Sequence, residues 1–137
     1  MNTHPYLRAY MAGITLPTMF LLIVMTLFTL ARYVYDIPIP IERIIVFPMA
    51  IVPNLWGAWN MLYLFLESRR RLSIGLHGAI IPFVWAILAF TITRIIGFTI
   101  PAFALSIFPF VFPVVVLVHY LLWKHLISFF NGLMGVA

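Results

Sequence analysis

Hydrophobic positions in this chain come in long unbroken blocks rather than in stripes or alternation. Four stretches carry no charged side chain: residues 9–31, 44–66, 72–93 and 95–123. A helix needs roughly 20 apolar residues to cross the hydrocarbon core of a bilayer, whereas a barrel strand needs about 10 in strict alternation. The blocks meet the first requirement four times and never the second. They predict helices over about 10–33, 42–68, 76–97 and 101–130, with residues 1–9 as a short lead. An outer loop near 36–41, an inner connection near 69–76 and a very short outer turn ending at Pro101 join them. Asn131-Gly132 reads as the stop of the last helix.

The marks inside the blocks recur in order. Gly13-Ile14-Thr15-Leu16-Pro17 and Gly78-Ala79-Ile80-Ile81-Pro82 each open an apolar run. The first run closes on Thr29 and Arg32, the second on Thr91, Thr93 and Arg94. Ile-Pro follows each time (Ile37-Pro38 and Ile39-Pro40, then Ile100-Pro101). A Phe-Pro and a further proline come next: Phe47-Pro48 with Pro53, then Phe108-Pro109 with Pro113. The order predicts an all-α membrane bundle of four transmembrane helices forming one domain over 1–137. Its two parallel helical hairpins, about 10–68 and 77–131, would be related by an internal pseudo-two-fold repeat with its axis along the membrane normal. Prolines inside the second and fourth spans each remove a backbone donor, which membrane helices tolerate when neighbours re-satisfy the freed groups.

Composition agrees on the solvent. The chain is 65% hydrophobic and 8% charged, where a soluble domain carries about 25% charged residues. Its net charge of +5 sits at the ends of spans, where basic side chains snorkel to headgroups and anionic lipid. That excludes an extended basic stripe for nucleic acid. Arg8, Arg69, Arg70, Arg71 and Lys124 stand against Arg32, Arg43 and Arg94, which puts both termini and the middle connection in the cytoplasm. A bacterial inner (plasma) membrane is the expected location. The first apolar run is too long for a signal core and lacks a small-x-small cleavage site, so it reads as structure. Absent cysteine removes disulfides, thiolate catalysis, iron–sulfur ligation and Cys-based zinc.

The densest polar constellation is Pro53-Asn54-Leu55-Trp56-Gly57-Ala58-Trp59-Asn60. Asn54, Trp56, Trp59 and Asn60 could line a ligand or ion site. Alternatively the amides are polar glue at a tight helix contact that Gly57 permits, and this is the favoured reading. Arg32 and Arg94, matched in the repeat, either snorkel or converge on an anionic ligand. His77 and His119 share a depth at which facing helices could hold haem, although no second ligand accompanies either. Interfacial anchoring accounts for them better. Tyr10 fits an interfacial aromatic belt. The acids, Asp36, Glu42 and Glu67, all lie at membrane borders, leaving no paired carboxylates and no buried carboxylate for a coupled carrier.

Small four-helix drug exporters share this size and span count, but their glutamate inside the first span has no counterpart in residues 10–31. Four-helix thiol oxidoreductases of the vitamin K reductase type need cysteines. Neither resemblance holds. The residues point to a non-enzymatic integral membrane component, a subunit or scaffold of an assembly or a holder of lipid or another hydrophobic ligand. The alternative is a small transporter or channel working as a homo-oligomer, and the second alternative a haem or redox protein using His77 and His119. No cofactor or metal is expected. The partners expected are the lipid bilayer and either further copies or other membrane subunits.

Overall fold

The structure, a computed structural model, describes residues 4–39, 41, 49–67, 72–95, 97, 99–100 and 102–136, with Ile92 described in its backbone alone. The expected start of the second helix at Glu42, with Arg43 and Phe47-Pro48, lies outside the described residues. So do Pro40, the Arg69–Arg71 cluster and Pro101.

The regular elements among the described residues are all helical: α1 Pro5–Val34, α2 Ala50–Glu67, α3 Ile74–Ile95, α4 Ala102–Leu122, a π-helical turn Trp123–Ile127, and α5 Ser128–Leu133. The last three run on as one helix of 32 residues. Three helices, Pro5–Val34, Ile74–Ile95 and Ala102–Leu133, are long and apolar enough to cross a membrane by length and composition. α2 has 18 described residues, about 27 Å of helix, and carries Asn54, Asn60 and Glu67.

Two ends differ from expectation. α1 begins at Pro5, so residues 5–9 are helix rather than lead. Proline suits a first-turn position because the helix has no acceptor for that donor anyway. At the other end of α1, Asp36 takes a left-handed φ of 53° and the Ile37 N–H donates to the Ala31 carbonyl at 3.1 Å. The last helix runs through Asn131-Gly132. It stops where Gly135 adopts φ 62°, with Val136 N–H donating to Asn131 C=O at 2.8 Å and Gly135 N–H to Gly132 C=O at 3.0 Å. These two bonds are a Schellman ending, and glycine carries the left-handed φ without a Cβ penalty.

The chain divides into two compact units, Met1–Arg70 with Phe129–Ala137, and Arg71–Ser128. In the first, α1 buries Ala9, Ala12, Gly13, Pro17 and Leu21 against α2, which buries Pro53, Trp56, Gly57 and Asn60. Both sets recur at helical spacing on one face. In the second, α3 packs on α4 and the π turn. Gly75, Gly78, Ile81 and Pro82 are buried there along with Trp123 and Ile127, whereas α4 itself buries no residue.

Much of what remains outside is apolar, including Phe20, Ile23, Ile87, Phe103 and Phe110. Exposed threonines bond within their own helices. Thr26, Thr29 and Thr91 donate to the carbonyls of Leu22, Met25 and Ile87 at 2.8–2.9 Å. That is how a hydroxyl is satisfied on a face with no water to bond. The molecule is thus a hydrophobic, all-helical membrane protein over its described residues.

Candidate functional site

The polar site of the first unit is built on a glycine crossing. A Cβ added at Gly13 would lie 2.7 Å from the Trp56 carbonyl oxygen and 2.8 Å from the Gly57 Cα. One added at Gly57 would meet the Tyr10 ring at 2.6 Å and Ile14 Cγ2 at 2.7 Å. Only residues without side chains let the two backbones come this close. One turn along, the crossing brings Asn60 against α1.

Asn60 is fully buried and uses both of its donors. Nδ2 donates to the Ala9 carbonyl at 2.7 Å and to Asn131 Oδ1 at 2.6 Å, while Asn131 Nδ2 returns a bond to Asn60 Oδ1 at 3.2 Å. Asn131 is 1% exposed. Three helical segments, α1, α2 and α5, therefore meet at one reciprocal amide pair. Beside it Arg8 lies close against Gly135, where an added Cβ would stand 2.6 Å from Arg8 Nη2. The guanidinium is placed at the carbonyl end of α5, where the helix dipole favours a cation.

Asn54 is committed as well. It is exposed, accepts the Tyr10 hydroxyl on Oδ1 and donates to the Ala50 carbonyl at 2.5 Å. Trp56 is buried and Trp59 half-buried on the same helix.

No protein-family model, curated protein or solved structure matches the chain. The functional reading rests on its residues alone.

The other candidates are two arginines and two histidines, each placed within its own unit. Arg32, in the first unit, donates to the Ile39 carbonyl at 3.3 Å and lies 5.7 Å from the Tyr33 ring centroid. Arg94, in the second, is exposed in the last turn of α3, again the end that suits a cation. His77 is buried in α3. His119 is half-buried in α4, its Nδ1 2.9 Å from the Val115 carbonyl. Among the described residues no group of three or more His, Cys, Asp or Glu is placed to hold a metal ion.

The structure brings Asn60 together with Ala9 and Asn131, which no sequence pattern groups with it. Asn131 reads as a helix stop and Tyr10 as a belt residue, yet each partners an asparagine of α2. One signal was present: Ala9-x-x-x-Gly13 is a small-x-x-x-small pattern, which marks close helix contact in membranes. Asn131 had none beyond being an amide in an apolar region.

Proposed function

We propose that this protein is a non-enzymatic integral membrane component that works as a subunit or scaffold of a membrane assembly. The observation that carries the reading is where the amides go. Asn54 and Asn60, the chemistry-capable residues of the densest polar stretch, bond to Tyr10, Ala50, Ala9 and Asn131. Apart from the Asn54 bond to Ala50, which stays within α2, these hydrogen bonds join helix to helix. The wide apolar exterior, above all α4 with no buried residue of its own, supports packing against other chains or lipid. In this reading α2 crosses the membrane as a fourth span, the two hairpins are parallel, and both termini are cytoplasmic.

Native mass spectrometry of protein released in mild detergent tests it. The expected spectrum contains this chain in complexes with further copies or defined membrane subunits, with retained lipid. A strictly monomeric chain that also carries ion or substrate flux in proteoliposomes, lost on Asn54→Leu, would replace this reading with the transporter. On the subunit reading, Asn54→Leu lowers the yield of assembled complex, because it strips the Tyr10 hydroxyl of its acceptor.

A further inference from the structure

We propose that residues 129–136 form a detachable latch, a short helical segment that closes on the α1–α2 pair through the Asn60–Asn131 amides and opens as a unit. Three observations carry it. The segment is held by little apolar surface: Asn131 is its one buried residue, while Phe129, Gly132, Leu133 and Gly135 are exposed and Phe130, Met134 and Val136 only partly covered. Its docking thus depends on the directional bonds of the reciprocal amides, beside which Arg8 lies close against Gly135. Segments with few buried apolar contacts are those that open at low free energy.

The second observation is continuity. The helix carrying the segment belongs to the other compact unit up to Ser128, and the change falls one residue after the π turn Trp123–Ile127. A π turn breaks the regular i to i+4 ladder, and such turns recur where helices do functional work. The third is that the segment ends itself. Its Schellman bonds run from Gly135 and Val136 to Gly132 and Asn131, all inside the segment. It keeps its own ending whether docked or free. Opening releases the Asn60 and Asn131 amides from each other and uncovers the face of α1–α2 beside Arg8, while the Asn60 bond to the Ala9 carbonyl stays within the pair.

The test uses the natural absence of cysteine. Spin labels on Leu62→Cys and Leu133→Cys, both exposed positions of the first unit, report the latch in lipid nanodiscs by pulsed electron–electron resonance. Labels on Phe20→Cys and Ile51→Cys report the α1–α2 pair alone. The latch predicts two distance populations for the first pair and one for the reference pair. The longer population grows at least about threefold when Asn131→Leu is added, since removing the amide bonds lowers the opening free energy. A single population in the otherwise unsubstituted chain overturns the proposal, and so does a distribution that Asn131→Leu leaves unchanged. If Asn131→Leu disturbs the reference distance, Asn60→Ser replaces it under the same two criteria.

Discussion

An amide carries two donors and an oxygen that accepts twice, and away from water each unmet group costs more than a made bond returns. Asn60 and Asn131 answer that demand with each other, which makes them interdependent. Asn60→Leu alone buries the Asn131 amide without its main partner, a loss of about 1–3 kcal/mol. Adding Asn131→Leu removes the stranded group and recovers part of that loss. A double-mutant cycle on denaturant unfolding in detergent measures the coupling, and strictly additive losses would show that the pair is not the unit described. The glycines give a graded series. Alanine gains up to about 1 kcal/mol over glycine inside a helix, while overpacking a tight contact costs about 1–3 kcal/mol. Gly132 has open space around its missing Cβ, so Gly132→Ala stabilises. Gly57→Ala meets side chains of Tyr10 and Ile14, which can shift. Gly13→Ala meets backbone of α2, which cannot, and should be the most damaging of the three in unfolding midpoint.

Two elements share a sequence mark without sharing a contact. In both α1 and α3 a proline follows a glycine by four residues, so the carbonyl that loses its helical donor is that of Gly13 or Gly78. Both glycines then admit something close. Gly13 admits the backbone of α2, whereas Gly78 sits directly on the Trp123 side chain. The similar words G-x-x-x-P were legible in the sequence, as were helix existence and, for α1, α3 and the last helix, approximate length, because blocks of apolar residues and prolines act locally. The partner of each glycine was not legible, since it depends on which surface a distant helix presents. The π turn was also invisible, although it matters for register. Residues 123, 127 and 131 would drift by about 40° per step in a regular α-helix. A turn with more residues per revolution takes back part of that drift and keeps Trp123, Ile127 and Asn131 closer to one line. The Gly78–Trp123 seat makes its own prediction: Gly78→Ala destabilises by about 1–3 kcal/mol. Pairing it with Trp123→Leu restores part of that loss, because the smaller side chain vacates the space the methyl needs. A thermal melt of the double variant no higher than that of the worse single would contradict this seat.

At the scale of the molecule, hydropathy and charge must decide a topology that packing alone does not. Among the described residues three helices are apolar enough to span, and α2, with its two asparagines, two tryptophans and Glu67, is not one of them. Ile37 and Ser73 bracket it. Both are exposed, one just after α1 and the other just before α3, with α2 between them. Because the chain has no cysteine, Ile37→Cys and Ser73→Cys each give a single thiol for a membrane-impermeant maleimide. The excess of arginine and lysine on the inner side predicts that Ile37→Cys is labelled in intact cells and Ser73→Cys only after permeabilisation. The reverse pattern would keep four spans and invert the orientation. Labelling of both from one side would mean that α2 does not cross. The glycine crossing would then join a spanning helix to a re-entrant one, and buried protein contacts such as Asn60 with Ala9 and Asn131 would be what allows polar α2 to lie at that depth.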